Sequence, residues 1–381
     1  MTQPVRIVAV ESNRQLASFL ELPRRIYAND PAWVPPYMPE LKARLDRKKN
    51  PYFEHAELQA WLAFRGDEPV GRISAQIDLL VPQYHGEPIG HMGFFEVADD
   101  WEAASALFEV AENWLRERGM VKVYGPYNPT LNEEPGVLLT GLEFPPMMLM
   151  GHSRPWYPAM FERAGYEKMR DLYAFYLDIR DDVIPDMIKR LVARCFKEGR
   201  LEIRPISMRH YDRDLKIILD IFNDAWSGNW GYIPMTDAEL KHTADGLKPI
   251  IREELTYIAY SGGRPVGMMV TLPNMNEILK AIDGRLLPFG WAKLLWWLKA
   301  GYPKSVRVPL MGVLKEIQSS AFGAAVAFAL IEQIRQNASG RGAEHAELSW
   351  ILEDNPGMLG ILEKIGSTPY KTYRVFGKAL A

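Results

Sequence analysis

Glu347 and Glu353 are the side chains of this sequence best suited to acid–base chemistry. Both lie in the segment ELSWILEDN, whose alternation predicts a strand with Glu347, Ser349 and Glu353 on one face. A carboxylate held on such a face can take a proton from a reacting group, which accelerates a reaction by about 10²–10⁴-fold. The alternative is that both are solvated carboxylates on an open sheet face.

A strand followed by small residues predicts a phosphate site upstream of these carboxylates. The strand ends near Val313 and Leu314, and the small residues that open the next helix are Ser319, Ser320, Ala321, Gly323, Ala324 and Ala325. Backbone N–H groups at such a helix start, unobstructed by side chains, bind phosphate or pyrophosphate. The alternative is a helix that needs small residues to pack closely on its sheet.

A polar loop, GPYNPTLNEEPG at 125–136, is the third candidate. Its proline and glycine residues predict a fixed backbone that pre-positions the polar side chains of Asn128, Asn132, Glu133 and Glu134. These groups are suited to recognising an ammonium or hydroxyl group of an acceptor. A plain surface loop is the alternative.

The segment LLPFGWAKLLWWLKAGYPK, residues 286–304, is unusually rich in aromatic residues. Helical spacing predicts a stripe that packs on a core, formed by Trp291, Leu294, Leu295 and Leu298. Trp296 and Trp297 lie outside that stripe. Such a helix suits the interface of a membrane or the roof of an acyl channel. The alternative is a helix buried between two repeats.

The elements that position these residues belong to an internal repeat that occurs twice along the chain. FRGDEPVG at 64–71 resembles YSGGRPVG at 260–267, and FERAG at 161–165 resembles LEKIG at 362–366. Each copy reads as strand, helices, hairpin, long strand, amphipathic helix, strand, helix and strand. The sequence therefore predicts a duplicated α+β fold with domains at 1–180 and 200–381, joined by a linking helix at 181–199.

Composition excludes several classes of protein. The 381 residues include 48% apolar and 24% charged residues, as in a folded protein of two domains. A formal net charge of −3 without a dense Lys/Arg block argues against a protein that neutralises nucleic-acid phosphates. The single Cys195 precludes an intramolecular disulfide, no metal-binding motif occurs, and no apolar run is long enough to span a membrane. We expect a cytoplasmic protein without metal.

Two motifs give this sequence a resemblance to a known family. Gln318-Ser-Ser-Ala321-Phe-Gly323 resembles the pyrophosphate loop Gln/Arg-x-x-Gly-x-Gly/Ala of the GCN5-related N-acetyltransferases (GNATs), with alanine at the first glycine. The segment from Asn355 to Ser367 resembles the family's Asn-x-x-Ala-Ile-x-Leu-Tyr-Glu-Lys-x-Gly-Phe. The resemblance covers the whole chain as a tandem and is closest to a bacterial group that includes ceramide synthases.

The resemblance implies two tandem GNAT-like domains, each a mixed, mostly antiparallel sheet flanked by helices. It also implies acetyl-CoA or a longer acyl-CoA as co-substrate, bound by Val313, Leu314, Gln318, Ser319, Ser320, Ala321, Phe322, Gly323, Ala324, Asn355 and Met358. The backbone N–H of Val313 or Leu314 would stabilise the oxyanion. The family's usual acid, a tyrosine, is replaced by Leu362; Tyr370 is a substitute, with packing as the alternative.

The two copies differ at the predicted phosphate site. In the first copy Asp99, Asp100 and Glu102 stand where phosphate oxygens would lie, and like charges repel. No acidic residue occurs between Gln318 and Ile331 in the second copy. The sequence therefore predicts that the C-terminal copy binds acyl-CoA and that the N-terminal copy is degenerate for CoA binding.

The leading hypothesis is an acyl-CoA-dependent N-acyltransferase that acylates a long-chain base or another lipid-linked amine. Membrane contact on the cytoplasmic face would then involve residues 286–304, and the predicted substrate contacts are Asn128, Asn132, Glu133, Trp296 and Trp297. One alternative is a catalytically inactive CoA-binding regulator or adaptor. Another is an N-acetyltransferase of a soluble amine.

Overall fold

The chain forms two compact units in a computed structural model that describes residues 3–380. Unit 1 contains the residues up to Leu172, the segment Leu279–Arg285 and the residues from Lys371 onward. Unit 2 contains Tyr173–Ile278 and Leu286–Tyr370. These compact units are not the contiguous domains predicted at 1–180 and 200–381, because packing and the sequence repeat divide the chain at different places.

Unit 1 is a helix-flanked sheet, and it contains most of the first sequence repeat. In chain order the elements of this repeat are β1 (Val5–Ala9), α1 (Asn13–Ile26), α2 (Met38–Arg44), β2 (Ala56–Arg65), β3 (Glu68–Asp78), α3 (Val81–His85), β4 (Ile89–Val97), α4 (Trp101–Arg116), β5 (Lys122–Gly125), β6 (Val137–Thr140), α5 (Tyr157–Arg163) and β7 (Glu167–Asp178). The strands β1 to β5 lie in chain order, and only the pair β4–β5 is parallel.

The second repeat follows the same plan. Its elements are α6 (Asp186–Lys197), β8 (Glu202–Pro205), α7 (Tyr211–Trp226), α8 (Asp237–Leu247), β9 (Thr256–Ser261), β10 (Arg264–Pro273), α9 (Asn276–Ala281), α10 (Gly290–Ala300), β11 (Ser305–Val313), α11 (Lys315–Gln318), α12 (Ala321–Gly340), β12 (His345–Leu352), α13 (Pro356–Lys364) and β13 (Thr368–Ala379). In unit 2 the strand order is β7-β12-β11-β10-β9-β8, and β11–β12 is parallel. The predicted duplicated α+β architecture is confirmed.

Specific contacts explain why two late segments belong to unit 1. β13 pairs with β5 in antiparallel register from Phe376↔Gly125 onward. In the segment Leu279–Arg285, the carboxylate of Asp283 accepts from Arg24 of α1 at 3.1 Å. Two segments of the second repeat therefore pack within unit 1.

The core of unit 2 lies between its sheet and the helices α6, α12 and α13. Helix α12 buries Val326, Leu330 and Ile334, and α6 adds Ile188 and Cys195 to the same cluster. Cys195 is fully buried, as expected of a core thiol. Helix α6 thus forms within the predicted linking region and packs as part of unit 2.

Helix α10 lies with a different face inward from the one that the sequence predicted. Leu294 and Trp297 are buried, whereas Trp291 is 52% and Trp296 65% exposed. Leu295, also predicted to face the core, is exposed. The predicted stripe is therefore wrong at Trp291 and Leu295. Apolar residues surround almost the whole helix, so spacing alone does not select its inner face.

Candidate active site

The sheet of unit 2 opens between β11 and β12. These strands pair in parallel as far as Val308↔Leu348. Beyond that point β11 runs on to Val313 and β12 to Leu352, but among residues 3–380 the two strands no longer pair with each other. Pro309, the next residue of β11, has no N–H to donate to a neighbouring strand. A gap lined by strand edges therefore forms toward the carboxyl ends of both strands.

The two predicted oxyanion donors at the end of β11 differ in availability. The N–H of Leu314 donates to the carbonyl of Val266 at 3.0 Å, so it is not available for this role. Hydrogen-bonded pairs alternate in an antiparallel ladder, which turns the N–H and C=O of Val313 away from β10. In agreement, Gln318 Nε2 donates to the Val313 carbonyl at 2.8 Å. Val313 is thus the donor that lies at the gap.

Helix α12 begins beside this strand end with a tightly folded turn. Ser320 caps the helix, because its Oγ accepts from the N–H of Gly323 at 3.0 Å and donates to the carbonyl of Ile317 at 2.7 Å. A Cβ on Gly323 would lie 2.0 Å from that carbonyl oxygen, so this position requires glycine. The N–H groups of Ala321 and Phe322 have no backbone acceptor within residues 3–380. They are the donors left for an anion.

The turn before α12 is anchored by backbone and side-chain contacts. The N–H of Lys315 donates to Asp224 at 2.8 Å, and its Nζ donates to Ser227 at 2.6 Å. Ser319 and Ala321 are exposed. The predicted phosphate-binding turn is therefore anchored through Lys315, while Ser319 and Ala321 are open to solvent.

The second family-like segment forms α13. Asn355 caps this helix, because its Oδ1 accepts from the N–H of Met358 at 3.0 Å. Met358 packs against the edge of the unit 2 core. Leu362, at the position of the family's tyrosine, is fully buried, and its side chain serves the core.

Glu347 lies at the centre of a buried polar network. One carboxylate oxygen accepts from Ser349 Oγ at 2.5 Å, and the other accepts from the hydroxyl of Tyr370. Arg307 Nε lies 3.8 Å from Glu347 and donates to Ser349 Oγ at 2.8 Å. Glu347 and Arg307 are both almost completely buried. The Glu347 carboxylate thus accepts from two hydroxyl groups next to a buried guanidinium.

This network occupies the sheet face opposite α12. Val306 and Leu348 belong to the cluster under α12, and residues alternate between faces along a strand. Arg307 and Glu347 are partners in the β11–β12 register, so both side chains lie on the other face. His345 stacks on Tyr176 on that face with ring centroids 5.1 Å apart. The Glu347 carboxylate, the Arg307 guanidinium and the Tyr370 hydroxyl thus meet next to the point where the strands separate.

Glu353 is placed differently from its prediction. Strand β12 ends at Leu352, and Glu353 lies in the turn that follows. The alternation that groups it with Glu347 stops before it. Glu347 is therefore the base candidate that the structure joins to Tyr370, and the solvated-face alternative does not hold for it.

Arg307 and the buried face of β12 were missed by sequence reasoning. The available signal was the arginine in the apolar strand SVRVPL, because a buried arginine needs a buried partner. That partner, Glu347, is distant in sequence and is found only through the strand register.

In the first repeat, the carboxylate of Asp100 occupies the start of α4, the helix equivalent to α12. Asp100 caps α4 by accepting from the N–H of Ala103, and Arg65 binds Asp100 at 2.6 Å. Arg65 also binds Glu102 at 2.8 Å. The hydrogen bond from Arg65 lowers the pKa of Asp100 and keeps it ionised. An incoming phosphate would meet this negative charge.

The predicted acceptor loop is held together by internal contacts. Asn128 Oδ1 accepts from the N–H of Phe94 at 2.5 Å, and its Nδ2 donates to Glu134 at 3.2 Å. Glu133 lies 3.6 Å from the buried Arg44, and burial raises its pKa to about 7. Asn132 is exposed. Both polar ends of Asn128 therefore serve the loop, while Asn132 points to solvent.

Comparison with known proteins identifies the family. No protein-family model matches the chain. The chain is 44% identical over 375 residues to a bacterial ceramide synthase of Caulobacter vibrioides (strain NA1000 / CB15N), covering 98% of this chain and 97% of that protein. The chain belongs to the bacterial ceramide synthase family. Protein YghO of Escherichia coli (strain K12) is 39% identical over 369 residues, covering 97% and 94% of the two chains.

Solved structures show the fold of this family member. A tandem GNAT protein from the clavulanic acid biosynthesis pathway aligns with a TM-score of 0.58 and 14% identity over 99% of each chain. A GCN5-related N-acetyltransferase from Sphaerobacter thermophilus aligns with a TM-score of 0.55 and 13% identity, covering 100% of this chain and 97% of that one. The protein thus has a tandem GNAT fold. No helix within residues 3–380 has the length and apolar character needed to cross a membrane.

Proposed function

We propose that unit 2 binds an acyl-CoA and transfers its acyl group to the amine of a long-chain base or another lipid-linked amine. The observation that carries this proposal is the gap between β11 and β12, which brings the start of α12 and the end of β11 together within unit 2. The similarity to the ceramide synthase of Caulobacter vibrioides supports a lipid amine as acceptor.

The pyrophosphate of acyl-CoA would bind the free N–H groups of Ala321 and Phe322. Gly323 allows the close turn that presents them, and Ser319, Ser320 and Ala324 leave the approach unobstructed. Gln318 holds the end of β11, so that the N–H of Val313 can stabilise the oxyanion of the tetrahedral intermediate. Asn355 and Met358 would contact the donor from the start of α13.

Glu347 and Tyr370 form a relay for the proton that must leave the amine. The acceptor ammonium first releases one proton to solvent, and its nitrogen then attacks the thioester carbonyl. As the C–S bond breaks, the second proton passes to Glu347, and Tyr370 gives its own proton to the thiolate. Tyr370 recovers a proton from Glu347 through their hydrogen bond. The products are an amide and free CoA, and the two residues return to their starting states.

The exposed face of α10 supports a lipid substrate and contact with the cytoplasmic face of a membrane. Its large apolar side chains in solvent are those of Trp291, Leu295 and Trp296, and Leu287 and Phe289 are exposed in the segment just before the helix. Lys293 and Lys299 are exposed on the same helix. Apolar side chains with flanking lysines are typical of a helix that lies in a membrane interface. Trp297 is buried, so we assign it to packing and keep Trp296 as the lipid contact.

Unit 1 is proposed to be degenerate for CoA binding, because Asp100 occupies the start of α4. In the loop at 125–136, Asn132 and Glu133 remain the candidates for contact with the acceptor. Asn128 would act there by fixing the backbone.

An inactive CoA-binding regulator is the second candidate. The buried Leu362 at the family's tyrosine position and Ala321 at the first loop glycine favour it. Transfer of an acetyl group to a soluble amine is the third, and it requires no exposed apolar helix.

A thermal-shift series tests these readings. We expect the melting temperature of the purified chain to rise progressively from acetyl-CoA to palmitoyl-CoA, because a long acyl chain adds buried apolar area. Equal shifts for all chain lengths would favour the soluble-amine enzyme. No shift with any CoA ester would contradict the proposal. Lipid mass spectrometry of cells with and without the gene then separates an enzyme from a regulator.

A further inference from the structure

Trp226, the last residue of α7, contacts both strands that border the gap of unit 2. Its indole Nε1 donates to the carbonyl of Met311 on β11 at 3.4 Å, and its ring packs on Trp350 of β12 with centroids 5.4 Å apart. Both contacts lie beyond Val308↔Leu348, the last pair that joins the two strands within residues 3–380. One side chain therefore bridges the strands where their backbones have separated.

The register of β11 explains why the Met311 carbonyl is available to Trp226. Met311 lies two residues before Val313, so its N–H and C=O also point away from β10 in the alternating antiparallel ladder. Trp226 and Gln318 thus cap the two carbonyls on this edge of β11, those of Met311 and Val313. The indole is part of the wall of the gap.

Trp226 lies on the sheet face that carries Glu347. The strand residues on either side of Gly312 belong to the cluster under α12, so Gly312 itself faces the other side. A Cβ on Gly312 would lie 3.1 Å from the Cβ of Ala225, which places α7 directly over β11 on that other side. The indole is therefore on the same face of the sheet as the proposed base.

Helix α7 is fixed at the end that carries Trp226. Asp224 accepts from the N–H of Lys315 at 2.8 Å, and Ser227 accepts from Lys315 Nζ at 2.6 Å. The indole is held less firmly, because its hydrogen bond of 3.4 Å exceeds the usual range of about 2.7–3.2 Å. A half-buried indole on a weak hydrogen bond can move while the helix that carries it stays in place.

The proposed donor site directs an acyl chain toward Trp226. The pyrophosphate would bind at the start of α12, which follows β11 in the chain, and the thioester carbonyl would lie at the N–H of Val313. The acyl group leaves the thioester on the side away from the pyrophosphate and therefore runs back along β11 toward Met311. Two strand residues span about 7 Å, so an acetyl group ends before the indole, whereas a palmitoyl chain reaches it.

We propose that Trp226 selects the acyl chain of the donor in unit 2 by acting as a gate. An acetyl group leaves the indole bonded to Met311, whereas a long acyl chain displaces it and packs against Phe222 and Trp350. Both of these rings are buried, and that of Phe222 lies 4.9 Å from the indole, so apolar surface becomes available when the indole moves. The gate rests on the proposed function, which supplies the position of the thioester.

Fluorine NMR of the full chain labelled with 5-fluorotryptophan tests the gate. The chain contains 11 tryptophans, and the resonance that is lost in Trp226→Phe belongs to Trp226. We expect palmitoyl-CoA to shift this resonance, because the indole leaves Met311, and saturating acetyl-CoA to leave it in place. The resonance of Trp114 in unit 1 should move with neither donor. A Trp226 resonance unmoved by palmitoyl-CoA, or shifted equally by both donors, would overturn the proposal.

The affinity of Trp226→Phe for the two donors tests the same claim. Phenylalanine keeps an aromatic ring next to Phe222 and Trp350 but cannot bond to Met311, so a long chain no longer has to break that bond. We expect the Kd for palmitoyl-CoA to fall about two- to tenfold and that for acetyl-CoA to change by less than about twofold, measured by isothermal titration calorimetry. Unchanged acetyl-CoA binding also shows that the variant is folded. Trp114→Phe, the same change on α4, should alter neither Kd.

An unchanged or higher Kd of Trp226→Phe for palmitoyl-CoA would contradict the gate. Thermal shifts keep that failure separate from failure of the proposed function. No change of melting temperature with any CoA ester would reject the acyl-CoA site and the gate with it. A rise with palmitoyl-CoA together with an unmoved Trp226 resonance would reject only the gate and leave the acyl-CoA site in place.

Discussion

Gly323 is the residue on which the proposed donor site depends most sharply. Gly323→Ala places a methyl group against the Ile317 carbonyl, at 2.0 Å before relaxation, so the turn must move. We expect the affinity for palmitoyl-CoA to fall about tenfold or more, measured by isothermal titration calorimetry. Gly340→Ala, at the far end of the same helix, meets nothing within 4 Å and is the matched control. Equal palmitoyl-CoA affinities of the two variants would contradict the assignment of the pyrophosphate site to this turn.

Glu347 and Glu353 provide an internal comparison of the two base candidates. Glu347→Gln keeps the side-chain shape but cannot accept the proton, and we expect kcat to fall by about 10²–10⁴-fold. Glu353→Gln, in the turn after β12, should leave kcat within about threefold. Steady-state rates of CoA release measure both. A larger loss of kcat in Glu353→Gln than in Glu347→Gln would identify Glu353, not Glu347, as the base.

Glu133 gives a pH dependence of stability that can be calculated in sign. Burial raises its pKa from 4.5 to about 7, so the folded state holds its proton more tightly than the unfolded state. Its contribution to the free energy of unfolding is present below about pH 4.5 and is lost as the pH rises through about 7. Urea unfolding from pH 4.5 to 8 should show a smaller decline for Glu133→Gln. Identical declines in the two proteins would contradict this assignment.

At the scale of elements, helix α10 carries two neighbouring tryptophans with different roles, because Trp296 is exposed and Trp297 is buried. Trp296→Ser should change the free energy of unfolding by less than about 0.5 kcal/mol, because the side chain is exposed, while weakening binding to anionic liposomes. Trp297→Ser, one position further, should cost about 3–5 kcal/mol because that side chain is buried. Chemical unfolding and liposome sedimentation distinguish the two. Unchanged liposome binding by Trp296→Ser would contradict the proposal that α10 contacts lipid.

The same elements show what the sequence could predict. The amphipathic helix of the first copy was predictable because polar residues mark its outer face, and it is α4, which buries Phe108, Ala111 and Leu115. The inner face of α10 was not, since tryptophan and leucine occur on nearly all sides. The difference between Val313 and Leu314 depends on the hydrogen-bonding register with β10, and one residue reverses it. Likewise, the Arg307–Glu347 pair exists only once two distant strands are aligned.

At the scale of the whole molecule, duplication has produced two repeats with unequal helix starts. The start of α12 retains free N–H donors, whereas Asp100 and Arg65 occupy the start of α4. We therefore expect one palmitoyl-CoA to bind per chain, as measured by native mass spectrometry in detergent. Asp100→Ala removes the carboxylate at the start of α4, and a second bound molecule in that variant would show that this carboxylate alone prevents binding to unit 1. Two bound molecules per wild-type chain would contradict the assignment of unit 1 as degenerate.

Single-turnover acyl transfer is the most direct test of the central claim. Purified protein is mixed with palmitoyl-CoA and sphinganine, and the amide and free CoA are quantified together by mass spectrometry. We expect equal amounts of amide and CoA from the wild type and a rate lower by about 10²-fold or more for Glu347→Gln. Folded wild-type protein that binds palmitoyl-CoA but forms no amide, or a Glu347→Gln variant with the wild-type rate, would contradict it.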